Sequence, residues 1–509
     1  MIPLLMRRAL SILMFAFLLN RSFGQSGSIH WNSGNLSLGI QPSGALFQKD
    51  GSPASSTTAE DTKHFLSGSF TWVYAEAGSD VYGALGTDTT KEWWPGPIDT
   101  FLLTAKNPED WSSVWSVSKS EVLNHRMNYS KTNYETPVGI ANWPANVEEQ
   151  GVPKVLAPFV DADENGIYEP DLGDYPFLLG DWNAYTIAND VHGEHPISGA
   201  QKMGLEVRCM LFSVRNDDLE NVVFVRWYII NRSEETYDRV HFGQMLHMEL
   251  GNAEDNFVRT NVNKNAVMGY NGDSKDEQGF DPLLPSTFFA FLNRGISSSA
   301  VFMDGDGIRR MPQNATEFSE VMNGNWPDGS RKYLEGDGTS GINTTKFAFP
   351  GVTGENANVN STEENAAQLP GKRIVLAIAE VPAELAPGAF ITLDAAYGFV
   401  LSQDPGLGET ERLLDETISY HKSVLNESSL AIPSSTAYYP NPIQSGQVLE
   451  FKPEVDAAIM YTLDGKIACS LQRVTGEISI KRNISLKPGI YLVESSVGHF
   501  VKRTRLVIL

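Results

Sequence analysis

The sequence predicts a mainly β protein: a large β-sandwich-type body with long loops and one C-terminal helix, followed by a second, much smaller β-sandwich. Three observations carry this. The apolar runs are short and rich in β-branched and aromatic residues, as strands require. The 44 glycines and 27 prolines interrupt these runs with turns. Only one stretch keeps a helical spacing of apolar residues. At 509 residues the chain exceeds one ordinary domain of about 100–200 residues, so two or more core units are expected.

The N-terminal stretch carries Arg7 and Arg8, an apolar run from Ala9 to Leu19 broken only by Ser11, and Ser22-Phe23-Gly24 before Gln25. This is the layout of a secretory signal peptide spanning 1–24. The run is too short for a spanning helix, which needs about 20 apolar residues. No later stretch is long and apolar enough, so no transmembrane segment is expected in the mature chain. Cys209 and Cys469 are far apart and few for a disulfide-stapled exported protein, so both read as small buried residues. The net charge is −23. The signal segment and residues 439–509 each carry +3, which leaves −29 on the body between them. Such a surface repels nucleic acid and favours divalent cations.

The body, 25–426, holds one or two lobes. Residues 64–76 open its strand series. Leu205–Val214 and Val222–Ile230 follow, the latter apolar on both faces except at Arg226, which reads as a strand covered on both sides. In Arg239–Leu250, Val240, Phe242, Leu246, Met248 and Leu250 fall on one face and His241, Met245, His247 and Glu249 on the other. Lys372–Val381 and Phe390–Ser402 continue the series. Residues 350–372 read as a long exposed loop. Leu407–Asn426 places Leu413, Leu414, Ile418 and Val424 at near-helical spacing, with no Gly or Pro after Gly408, and is the one clear helix. A Ser- and Pro-rich linker, 427–438, then leads out of the body.

Residues 439–509 alternate short apolar runs with turns at Gly465, Gly489 and Gly498, the rhythm of a small immunoglobulin-like β-sandwich. Tyr439-Pro-Asn-Pro442, Tyr461-Thr-Leu-Asp-Gly-Lys466, Leu486-Lys-Pro-Gly-Ile-Tyr491 and Gly498 before a basic, apolar tail occur in order. On these motifs the module resembles the type A C-terminal sorting domain of the type IX secretion system of Bacteroidota. The resemblance implies export through the periplasm and outer membrane, removal of the module by a surface sortase, and a body that is released or anchored at the cell surface.

One stretch of the body carries a site. Six carboxylates and no Lys or Arg lie between Asp161 and Asp174. Asp161, Asp163 and Asn165 alternate and Gly166 follows, the opening of a calcium loop, in which short side chains turn hard oxygen ligands inward and glycine allows the bend. The carbonyl of Ile167 is the expected next ligand. Leu172 stands where an EF-hand would place its closing Glu, so Asp171 or Asp174 must close the loop. The expected cofactor is therefore a structural Ca²⁺ outside an EF-hand. The competing reading is an acidic turn whose Asp side chains cap backbone amides.

A weaker second cation site is expected from His247, Glu249 and Asp255, against a solvated strand end. His192-Gly-Glu-His195 is a fragment of a zinc motif without its spacing, and Asp304-Gly-Asp-Gly307 reads as a turn. Trp94–Asp99, Trp143–Pro176, Asn189–His192, Ser198–Val207 and Leu250–Asp273 resemble a set of uncharacterised Bacteroidota surface proteins bearing the same sorting module. In that set Asp stands in place of His247 and Glu249, and also in place of Asn256.

No G-x-S-x-G, H-E-x-x-H, P-loop or G-x-G-x-x-G is present. Two functions remain: a calcium-stabilised surface protein that binds a glycan or other surface ligand or builds structure, and a secreted polysaccharide hydrolase. Trp93, Trp94, Trp111 and Trp115 can stack on sugars or fill a core. The partners implied are the type IX machinery and its sortase through 439–509.

Overall fold

The computed structural model of the protein describes residues 25–33, 36–49, 52–53, 55–56, 64–78, 80–88, 92–163, 165–251, 256–271, 275–276, 279–303, 305–335, 337–350, 373–381, 384–403 and 407–425 of the body. Beyond it, residues 438–439, 448–451, 457–462, 467–472, 481–483, 487, 489–497 and 500–508 are described. The signal segment, residues 427–437 of the linker and the loop 351–372 lie outside these residues.

The six strands expected in the body join others that the sequence did not mark, in two antiparallel sheets. The ten-stranded sheet runs Gln25–Ser26, Ser113–Ser118, Trp182–Asn189, Leu205–Ser213, Val222–Asn231, Phe390–Ser402, Leu284–Phe291, Ala266–Asn271 and Asn256–Asn261, with Trp94–Pro95 beside Trp182–Asn189. The five-stranded sheet runs Ile296–Phe302, Arg373–Val381, Val240–Met248, Leu66–Ala77 and Asp80–Ala84. Alternation decides how they meet. Val223, Val225, Trp227 and Ile229 share an apolar core with Phe242, Leu246, Val375 and Ala377 of the other sheet. Val222 and Phe224 point the opposite way into a second core. The strand is apolar on both faces because both faces are covered.

The second core is roofed by the 143–159 segment, through Trp143, Leu156 and Phe159, and by Leu413 and Leu414 of the helix Gly408–Tyr420. This is the expected C-terminal helix; it ends in a wider turn, His421–Leu425. Among the described residues three α-helices escape the sequence reading, one of them the single turn Val138–Ala141. Ala315–Met322 lays Phe318, Val321 and Met322 over Trp72, Met245 and Leu376 on the outer face of the five-stranded sheet. Met245 is thus buried on the face opposite Phe242. Lys119–Asn128 begins in a capping box, with Ser118 Oγ accepting from Glu121 N and Glu121 accepting from Ser118 N. No helix among the described residues is long and apolar enough to cross a membrane.

One glycine shows how tightly the sheet is filled. Gly398 pairs with Val222 on one side and Phe288 on the other. A Cβ there would run into the Phe288 ring. Gly398→Ala is expected to cost about 1–3 kcal/mol by overpacking, read as a lower urea midpoint at unchanged slope. An unchanged midpoint would show that the ring has room to move.

Beyond the body, Tyr438–Tyr439, Val448–Phe451 and Lys481–Asn483 form a three-stranded sheet. Ile467–Gln472, Ala457–Thr462, Gly489–Val497 and Phe500–Ile508 form a four-stranded one. All their pairings are antiparallel, and Ala458, Met460, Leu471 and Val493 are buried.

Candidate functional site

The acidic loop is a closed hairpin. Phe159–Val160 pairs antiparallel with Tyr175–Pro176, so residues 161 and 174 leave and enter the same short ribbon. Phe159 and Tyr168 pack edge to face beneath the loop, and Tyr168 Oη donates to the Ile140 carbonyl at 2.6 Å. His125, buried on the Lys119–Asn128 helix, places Nε2 3.1 Å from the Asp174 carbonyl. Burial pushes the His125 imidazole below its ordinary pKa, which suits a neutral ring wedged under the loop.

Gly166 takes φ +81°, the bend the sequence motif requires. Its missing side chain would meet nothing within 4 Å, so conformation and not space selects glycine there. Gly173 closes the short 3₁₀ turn Pro170–Leu172 at φ +110°, with the Tyr129 ring 3.0 Å from where a Cβ would stand.

Asp161, Asp163 and Asp174 each present one carboxylate oxygen within 4.8 Å of the others. Asp161 and Asp174 are buried and Asp163 is exposed. The same carboxylates also cap amides. Asp161 accepts from Asn165 N at 3.2 Å and Gly166 N at 2.6 Å. Asp174 accepts from Ala162 N at 2.7 Å and Glu169 N at 2.8 Å. The two readings of the sequence are therefore compatible: amide caps hold the acids, and the acids converge. Burial, with the charges of Asp161 and Asp163, raises the Asp174 carboxyl above its ordinary pKa against the opposing pull of its two amide donors.

The other residues of the expected set are placed differently. Asn165 Oδ1 accepts from Ile167 N at 2.7 Å, and its Nδ2 donates to Asp163 at 2.8 Å and Glu169 at 3.0 Å. Ile167 is an exposed residue at the loop tip. Asp171 lies exposed in the 3₁₀ turn, outside the converging group, and Asp174 closes it. Glu169, which the sequence reading did not place in the site, stands at its rim through Asn165. Its signal was present as the fourth of six clustered acids.

The weaker set is only partly described. His247 Nε2 lies 4.0 Å from Glu249 Oε1. Asp255 lies outside the described residues. The zinc-like fragment is structural: His195 is held between the Gly83 and Asp190 carbonyls, both at 2.7 Å, and His192 packs against Trp94. Asp306 of the Asp-Gly-Asp-Gly run accepts from Ile308 N and Arg309 N and pairs with the Arg309 guanidinium, while Asp304 lies outside the described residues. Trp93, Trp111 and Trp115 are buried, and Trp94, half-buried, stacks on His195. Cys209 is buried and Cys469 half-buried; neither is in a disulfide.

No family model and no curated protein matches the chain. Among solved structures a polysaccharide lyase matches at 7% identity over 69% of this chain, with a TM-score of 0.21. The chain spans 38% of that lyase's length. A likeness of that size carries no argument about chemistry.

Proposed function

We propose that the chain is an exported, surface-directed β-protein whose body is stapled by calcium at 161–174 and which serves binding, adhesion or structure at the cell exterior. The observation that carries the calcium reading is the convergence of Asp161, Asp163 and Asp174 on one point of a pinned hairpin. Three hard oxygens from a short loop suit Ca²⁺, which takes six to eight, with water and carbonyls completing the shell. Magnesium fits less well because it retains its waters and takes one or two carboxylates. The ion would do what a disulfide does elsewhere: it ties both ends of an acidic loop that otherwise repels itself. Melting of the purified body with calcium and with a chelator tests this; a melting temperature indifferent to both would end the calcium reading.

The export reading rests on the motifs of 439–509 and the signal layout of 1–24. Deleting 439–509 is expected to leave the body in the periplasm of a Bacteroidota host, scored by fractionation. Surface display of the deleted form would overturn it.

A further inference from the structure

Where the Val240–Met248 strand runs out, Asp88 from a distant part of the body meets His247, which faces Glu249. We propose that Asp88, His247 and Glu249 form a site for a transition-metal dication such as zinc, with His247 Nε2 and Glu249 as ligands and Asp88 as the positioning residue.

The argument begins with the imidazole. His247 Nδ1 lies 2.6 Å from Asp88 Oδ2. A carboxylate only accepts, so Nδ1 carries the proton and donates. Asp88 is itself fixed, because Gln48 Nε2 donates to its other oxygen at 2.7 Å, and Gln41 in turn donates to Gln48 at 3.3 Å. Gly68 stands opposite His247 in the sheet, and a Cβ there would run into the Phe70 ring and come within 3.0 Å of Asp88 Oδ1. The missing side chain opens the approach.

This arrangement leaves Nε2 as the ring's free lone pair. Nε2 is sealed from solvent and has no hydrogen-bond partner among the described residues. It faces Glu249 Oε1 at 4.0 Å, too far for an imidazolium–carboxylate hydrogen bond. A buried acceptor beside a carboxylate is costly unless a cation joins them. A tetrahedral zinc about 2.0–2.2 Å from each ligand would set the two atoms roughly 3.4 Å apart, an adjustment of about half an ångström. Imidazole nitrogen selects zinc, copper or nickel over calcium. A carboxylate on the far nitrogen is the arrangement that fixes the tautomer and orientation of metal-binding histidines. Two protein ligands leave the remaining positions to water.

The test is a Co²⁺ titration of the full chain, followed by visible absorption and reversed by Zn²⁺. One equivalent should bind. His247→Gln should abolish the signal. Asp88→Asn should weaken binding about 10–100-fold and shift the absorption bands. Asp161→Asn with Asp163→Asn should leave binding intact, which separates this site from the calcium loop. X-ray absorption of the zinc-loaded wild-type chain should show one imidazole nitrogen among oxygens, whatever the variants do to folding. An all-oxygen shell, or equal Co²⁺ binding by the His247→Gln chain, would overturn the proposal.

Discussion

Asp394→Ala is expected to destabilise the body by roughly 3–5 kcal/mol, the cost of leaving a buried charge without its partner. Arg226 and Asp394 face each other directly across the Val222–Asn231 and Phe390–Ser402 strands. The guanidinium donates through Nε at 2.6 Å and through a terminal nitrogen at 2.7 Å to the two carboxylate oxygens. His421, in the turn after the C-terminal helix, places Nε2 2.9 Å from the same carboxylate. All three residues are buried. Burial alone would raise the Asp394 carboxyl; the Arg226 fork and His421 hold it below the ordinary carboxylate range.

Asp394 thus has a lower pKa folded than unfolded. Its contribution to stability is present above the unfolded pKa and is lost as pH falls through the folded one. Urea midpoints on the acid side should therefore fall more steeply for the wild type than for an apolar pair. Replacing both partners, Arg226→Met with Asp394→Leu, should recover most of the loss. A double-mutant cycle separates the pair from its surroundings. If Asp394→Ala costs less than about 1 kcal/mol, the pair does not hold the sheet centre as described.

Calcium at 100 times its dissociation constant is expected to stabilise the body by about 2.7 kcal/mol, and Asp161→Asn should remove that response. The calcium-free behaviour distinguishes the loop's two roles. Asp163 is exposed and adds like charge beside Asp174. Asp163→Asn keeps an oxygen for the Asn165 amide and removes one charge. Without calcium this variant should melt no lower than wild type; with calcium it should melt lower.

The pH dependence has a definite sign. The Asp174 carboxyl is raised in the folded state, so its contribution is present below the unfolded pKa and is lost as pH rises through the folded value. Calcium-free protein should gain stability from this group on mild acidification, whereas calcium-loaded protein should lose the ion. Differential scanning calorimetry with and without chelator between pH 4 and 7 reads both slopes.

The strands were legible because their alternation is local. Arg226 stood out as the only charge in a run apolar on both faces, but nothing local indicated that it is paired or that Asp394 is its partner. The helix Lys119–Asn128 was not legible by periodicity, since it buries only Val122 and His125. Its Ser118–Glu121 capping box was the available signal. Ala315–Met322 is short enough that its three apolar residues pass for a strand fragment.

By itself the sequence determined six of the body strands, the last helix and the bend of the acidic loop, because each is written within a few consecutive residues. Only the tertiary structure decided that Asp174 and not Asp171 joins Asp161 and Asp163, that Asp394 answers Arg226, and that Asp88 reaches His247. Those partners depend on strand order, register and loop closure, and a two-residue repeat carries no information about which distant strand lies beside it.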